Sequence, residues 1–329
     1  MIDDSTRALS TLALELHRAC RDMPADRFQE WAMSRLRADV PFDSGLWASG
    51  LFDVHGDPIV HSLVLIDRPL ELMADYLRPG IKDADHLAKR NVEIPGVVSV
   101  ENSMDRHPQT TPALAAYMKK WRIVNAMACH TIDALTGLVT AVALWRERRE
   151  EPFVEDERRY FEVAMPHLIE TYGTSRLTHL ERAAHPKSAA LYASAAVDRH
   201  AHLQVAPPDF QRLLLLEWPQ WRGHLLPEAL HAIVDGSHER RFAGRHIAVR
   251  AERLNDIFLV QARPRMVVDD LTAREREVAL LIASGMTYKE AAQRLGVAPA
   301  TVRNHMSAIF AKLGIAKQSE MAAALRGLE

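Results

Sequence analysis

Two capping boxes, Thr272-Ala-Arg-Glu275 and Thr287-Tyr-Lys-Glu290, stand close together toward the C-terminal end of the chain. In each, the threonine hydroxyl can accept from the backbone N–H three residues on, while the glutamate reaches back to the threonine N–H. Each box therefore starts a helix and fixes its first turn. Gly285, Gly296 and Gly314 fall where such helices would stop, because glycine takes the left-handed backbone that closes a helix without steric cost. Pro299 suits the first position of a third helix, where its missing N–H would have had no partner. The punctuation predicts helices from each box to the next glycine, a third from Pro299 to just before Gly314, and a fourth over Gln318 to Arg326. Short helices joined by a tight glycine-containing turn form the helix-turn-helix layout.

The third helix is testable by angle. At about 100° per residue, Val302, Met306, Ile309 and Leu313 share one narrow arc, with Phe310 at its edge. That arc faces a core. Ala300, Asn304, Ser307 and Ala311 lie opposite, with Arg303 on the flank and His305 beside the core. Small side chains let a helix approach base edges, and Asn and Arg pair bidentately with adenine and guanine edges. From Thr287 to Lys317 the charges are Lys289, Arg294, Arg303, Lys312 and Lys317 against Glu290, a local excess of four positive charges. The whole chain carries a formal net charge of −2, so attraction to phosphate has to come from this patch. Capped helices alone would also suit a bundle that serves only dimerisation.

The residues decide between these. Leu271-Thr-Ala-Arg-Glu-Arg-Glu-Val278, Gly285 to Ala291, Ala300-Thr-Val-Arg-Asn-His305 and Lys312-Leu-Gly314 closely resemble the LuxR-type helix-turn-helix domain. That resemblance implies a four-helix all-α domain over 266–329, whose third helix enters the major groove of double-stranded DNA, usually as a homodimer on a two-fold-related site. It implies that Arg303, Asn304 and Ser307 approach bases, and that Thr287, Lys289, Thr301 and Lys312 contact the backbone. RNA polymerase is a further partner it brings into view. Two departures stand out. Ala298 occupies a capping position where relatives often carry Ser or Thr, and Ser307 a position that is often basic.

Upstream, apolar periodicity predicts helix over 5–38, broken near Pro24. Strands follow at 44–53 and 59–67 around His55-Gly56-Asp57-Pro58, then a helix at 70–77. Residues 80–112, dotted with prolines, read mostly as loop. Strands at 123–132 and 138–146 precede a helix over 154–184 that Pro166 should kink. Past Leu191 come a strand pair around Asp198 to Ala201, helices at 210–216 and 227–234, and a hairpin at 247–261 around Leu254-Asn255-Asp256. Arg263-Pro264-Arg265 reads as a linker, and no internal repeat is visible.

The fold class expected is α+β multidomain. Residues 1–185, with Phe42-Asp43 and Met165-Pro-His-Leu168, resemble a GAF-type sensory and dimerisation domain ending in a connecting helix. Residues 186–265 resemble a small PAS-like domain. Composition is that of a soluble globular protein, with 48% hydrophobic and 26% charged residues. Two cysteines, Cys20 and Cys129, make no disulfide framework. With neither a signal peptide nor a membrane span in the pattern, a cytoplasmic location and no membrane partner are expected.

Catalytic signatures are missing: no Gly-x-Ser-x-Gly, His-Glu-x-x-His or glycine-rich phosphate loop appears, and the expectation is a non-enzyme without cofactors. His200-x-His202 has the spacing of two ligands on one strand face, but nothing nearby completes a metal site, so none is expected. Cys129-His130 reads as core, and Trp47, Trp121 and Trp145 as core or as the lining of a small-molecule cavity. Glu217-Trp218-Pro219 and Trp221 read as packing anchors. Trp31 and Asp43 match in part the pattern of acyl-homoserine-lactone receptors, whose Tyr is missing here. The expectation is a homodimeric transcription factor governed by a small-molecule effector, with the helix over 154–184 as dimer and signalling element. A ligand-independent dimeric regulator and an acyl-homoserine-lactone-type receptor are the alternatives.

Overall fold

A computed structural model describes residues 4–52, 58–184, 192–234, 241–255, 257–321 and 325. Contacts divide the chain into two units, one of residues 1–180 with 202–205 and 222–225, the other of 181–201, 206–221 and 226–329. The turn expected at His55 to Asp57, the start of the second unit at Leu191, and residues 322–324 and 326 of the fourth C-terminal helix lie outside the described residues; the start of that helix is a 3₁₀ turn over Gln318–Glu320.

The first unit opens with α1 (Asp4–Asp22) and α2 (Ala25–Arg37), then β1 (Ser44–Phe52) and β2 (Pro58–Ile66). α3 (Glu71–Tyr76), α4 (His86–Glu93), β3 (Ser99–Glu101) and α5 (Pro112–Trp121) follow. β4 (Asn125–Ile132), β5 (Val139–Arg146) and α6 (Glu155–Ala184) complete it. The strands form one antiparallel sheet in the order β2-β1-β5-β4-β3. Trp47 and Cys129 both lie opposite Val142 in register, so these three share a face. Strand side chains alternate between faces, and both faces here are apolar. Trp47, Met127, Cys129, Val142 and Leu144 pack with Leu12, Phe28, Leu36, Phe161 and Leu168 from α1, α2 and α6. Ala126, Ala128 and Trp145 pack with Leu72, Leu87, Leu114 and Met118 from α3, α4 and α5. The sheet is thus a filling between two helical layers.

Residues 80–112, read as loop, contain α4 and β3, and α5 opens at Pro112. α4 buries only Leu87 and Asn91, so it shows no apolar stripe; Asp85 starts it by accepting from the Ala88 amide at 2.9 Å. Thr111 caps α5, accepting from the Leu114 amide at 3.3 Å, and Pro112 takes the first helical position. α6 continues through Pro166 as one 30-residue helix, so the proline removes a donor without ending it.

In the second unit, β6 (Ala193–Asp198) leads, while the short β7 (Leu203–Val205) groups with the first unit. α7 (Pro208–Glu217), β8 (Arg241–Ala243), β9 (Ile247–Leu254) and β10 (Ile257–Pro264) follow. β6, β10, β9 and β8 lie side by side in that order, all antiparallel. This repeats the order β1-β5-β4-β3 of the first sheet, a recurrence not visible in the sequence. Residues 227–234, read as helical, form a 3₁₀ helix over Glu228–Ile233. Glu217 at the end of α7 accepts from the amides of Arg245 and His246 at 2.7 and 2.6 Å, which pins the turn into β9. Trp221 is buried, as an anchor should be.

The linker expected at 263–265 is not one. Arg263 and Pro264 end β10, and the Arg263 guanidinium is bidentate to Asp269 at 2.6 Å on both arms, with side chains 4% and 5% exposed. Arg263 also donates to the Tyr192 hydroxyl at 3.1 Å. α8 (Ala273–Ala283), α9 (Tyr288–Leu295) and α10 (Pro299–Leu313) then pack around Val278, Ile282, Ala291, Val302, Met306 and Ile309.

Candidate nucleic-acid interface

Both boxes are formed. The Thr272 hydroxyl accepts from the Glu275 amide at 3.3 Å and Glu275 accepts from the Thr272 amide at 2.7 Å. Thr287 and Glu290 repeat the exchange at 3.3 and 2.7 Å, and the Thr287 hydroxyl also gives its proton to Glu290 at 2.8 Å. The Thr287 amide and hydroxyl hold the Glu290 carboxyl below its ordinary range. Gly285, Gly296 and Gly314 have φ of +94°, +65° and +67°, so each of the three helices gives way to left-handed backbone. Ala298 makes no side-chain cap and Pro299 stands at the first turn, leaving α10 started by geometry alone.

The arc over α10 falls as its spacing requires. Val302, Met306 and Ile309 are buried, whereas Ala300, Arg303, Asn304, Ser307 and Ala311 are exposed and His305 is intermediate. Arg303 and Asn304 show no side-chain hydrogen bond or ion pair with other described residues. Ser307 donates to the Arg303 carbonyl at 3.2 Å, so its outward lone pairs make it an acceptor. Thr287, Lys289 and Thr301 are exposed on neighbouring turns.

Lys312, expected at the DNA backbone, is exposed and pairs with Glu275. Its ammonium meets Glu275 at 2.6 Å, and that carboxylate is only 8% exposed against 34% for the lysine. Burial pushes Glu275 up, but Lys312 and the Thr272 amide and hydroxyl outweigh it and hold the carboxyl below its usual range. The pair ties the start of α8 to the end of α10. Arg274 adds a tie by donating to the Leu295 carbonyl at 2.9 Å. The sequence placed both residues in the domain, but gave no sign that the Lys312 ammonium would pair with Glu275.

The other candidates divide. Trp47 and Trp145 are core, and Trp121 donates its indole N–H to Asp75 at 3.1 Å beneath α3 and α5. Cys129 is wholly buried, its thiol pushed up to about 11 by burial. Trp31 packs against the first core near Phe28, and Asp43 is exposed, accepting from the Glu147 amide at 2.8 Å. His200 sits in the turn after β6 with its amide on Asp198, and His202 stacks on His224 at 5.4 Å. No strand face presents the two histidines together.

One cluster escaped the sequence reading. His86, Glu101 and His107 bring their ligand atoms within 4.8 Å of one another. The imidazoles stack at 4.1 Å and 17°, so their in-plane lone pairs run side by side instead of meeting at one ion. A metal would fit there only after one ring turned. No described helix is long and apolar enough to cross a membrane.

Residues 269–325 match the family model of bacterial regulatory proteins, luxR family. The transcriptional regulatory protein UhpA of Escherichia coli is 46% identical over 54 residues, which cover 16% of this chain and 28% of UhpA. The spore germination protein GerE of Bacillus subtilis is 46% identical over 50 residues, covering 15% of this chain and 68% of GerE. The chain spans a small part of most such relatives, down to 8% for a regulator of Mycobacterium bovis. A crystal structure of Escherichia coli SdiA aligns over 97% of both chains at 11% identity with a TM-score of 0.42, and a phycoerythrobilin-bound GAF domain covers 54% of this chain at 12% and 0.36. Scores this low carry no argument about the first unit. Capped helices, an outward polar face on α10 and the matched motifs agree: the chain belongs to the LuxR family of bacterial regulatory proteins.

Proposed function

We propose that this regulator reads double-stranded DNA by laying α10 in the major groove, with Arg303, Asn304 and Ser307 toward base edges and Thr287, Lys289 and Thr301 toward phosphates. The observation that carries this is the exposed, acid-free face of α10 opposite buried Val302, Met306 and Ile309. Arg303 supplies donors for guanine, Asn304 both donor and acceptor for adenine, and Ser307 an acceptor for an exocyclic amine. Lys312 acts one step back, holding α10 against α8 through Glu275.

A homodimer on a two-fold-related site follows from energetics. With Lys312 committed to Glu275, each module offers few free cations, and joining two modules makes the second contact effectively intramolecular. The first unit, with its connecting helix α6, would set the dimer and answer a small-molecule effector. In a mobility-shift titration against a randomised site library, Asn304→Ala should redistribute base preference. Lys289→Ala should weaken all sequences alike and flatten the salt dependence. Wild-type behaviour in both variants would refute the docking.

A further inference from the structure

α4 buries only Leu87 and Asn91, and β3 is three residues long, so neither has much apolar packing to hold it. Three side chains with ligand atoms meet there from separate pieces of chain. His86 opens α4, Glu101 ends β3, and His107 follows the 3₁₀ turn Met104–Arg106. His86 Nε2 stands 3.8 Å from one Glu101 oxygen, and His107 Nε2 stands 3.8 Å from the other. These separations are too long for hydrogen bonds, so the carboxylate faces both rings and is satisfied by neither. Both nitrogens of His86 are buried with no hydrogen-bond partner among the described residues, and its side chain is 13% exposed. Buried polar atoms are nearly always paired, and such a ring is satisfied by a ligand from outside the chain. Burial, then His107, holds the His86 imidazole below its ordinary range and therefore neutral, the form that binds a metal ion.

We propose that His86, Glu101 and His107 form a zinc-binding site. Two imidazoles and one carboxylate are a donor set that zinc takes, with water completing the tetrahedron. Magnesium and calcium favour oxygen ligands throughout and match this set poorly. Ligand atoms on a tetrahedral zinc stand about 3.4 Å apart, from bonds of about 2.1 Å. Each 3.8 Å separation therefore has to close by only about 0.4 Å. The stacking of the two rings at 4.1 Å has to yield, and His107 is the ring free to turn. It lies outside any helix or strand, and its side chain is 27% exposed. Its Nδ1 accepts from the Gln109 amide at 3.2 Å, which places the ring proton on Nε2. The Cβ–Cγ torsion of histidine is broad, so the ring turns toward Glu101 by giving up that one exposed contact. Its proton passes to Nδ1 and leaves the Nε2 lone pair to the ion. A bound zinc then staples α4, β3 and the approach to α5 together. Zinc binding here is independent of the DNA reading proposed above.

The test uses the full chain, freed of metal by a chelator and dialysed. Zinc chloride is titrated by calorimetry and thermal shift, with magnesium chloride as the comparison. Saturable zinc binding is expected, with a melting temperature raised by zinc and not by magnesium. His107→Gln changes a partly exposed ring, and without metal its circular dichroism should match the wild type. It should weaken zinc binding about tenfold or more, since losing even a group behind a ligand costs about 10–100-fold. Glu101→Gln should weaken it likewise. His224→Gln, at the other histidine stack, should bind zinc as the wild type does. Cobalt(II) in place of zinc reads the ligand set of the wild type directly. It should show the strong visible absorption of a four-coordinate ion and lose it in His107→Gln. No saturable zinc binding, magnesium bound as tightly as zinc, or wild-type zinc affinity in either His107→Gln or Glu101→Gln would each overturn the proposal. So would loss of binding in His224→Gln, or a cobalt spectrum of the hydrated six-coordinate ion.

Discussion

At the scale of single residues, Lys312 and Glu275 show how a charge count can mislead. Lys312 contributes to the positive window on paper, yet its ammonium is held by a carboxylate that is nearly buried. Removing the lysine leaves Glu275 with only the two Thr272 donors. Lys312→Met should therefore destabilise the C-terminal helices by about 1–2 kcal/mol, a charge-assisted bond discounted for the lysine's exposure. Chemical denaturation read through the C-terminal domain measures it, and Glu275→Gln should recover part of the loss when added to Lys312→Met. An unchanged midpoint in Lys312→Met would show the pair to be idle. Residue identity was legible here, since the wheel placed Val302, Met306, Ile309, Asn304 and Ser307 on the faces they occupy. Partnership was not: Lys312 and Glu275 meet because α8 and α10 cross, and one-dimensional spacing does not carry that.

Among elements, local chemistry accounts for what was readable. The capping boxes at Thr272 and Thr287 encode helix starts in four residues each, so the helices after them could be read directly. α10 is the exception, beginning at Ala298 without a side-chain cap. Ala298→Ser should lend it a hydroxyl acceptor and add about 0.5–1 kcal/mol to stability, seen as a raised denaturation midpoint with DNA affinity retained. A lowered midpoint would mean that Ala298 is constrained by packing instead. α4 and β3 stayed hidden because their residues bury little apolar surface. α5 did announce itself through Thr111-Pro112, a cap followed by a first-position proline, but the surrounding prolines read more loudly as loop. Composition reads the Arg263 segment as a linker, whereas its guanidinium is an internal strut.

Over the whole molecule, half-buried histidines set the response to acid. Burial holds His130 and His86 below the ordinary 6.5, with His107 adding to the effect on His86, and burial with His202 does the same for His224. A base whose folded pKa is depressed favours the folded state in its neutral form. That contribution is complete above 6.5 and is lost as pH falls below 6.5 through the depressed folded values. Thermal stability should therefore decline on acidification before the carboxylates titrate, and His130→Gln should shallow the decline. A melting temperature flat between pH 7 and about 5 would contradict the linkage.

The shared strand order also dictates a sequence of events during synthesis. β1 hydrogen-bonds to β5, Ser44 standing opposite Trp145, and β6 to β10, Asp198 standing opposite Ile257. Each sheet must therefore leave one edge of β1 or β6 unfilled until β5 or β10 emerges, which is the costly, long-range part of folding. The helices that follow β10 draw on near neighbours only and need no such delay. The C-terminal helices thus follow both sheets in the chain and fold through shorter-range contacts than either.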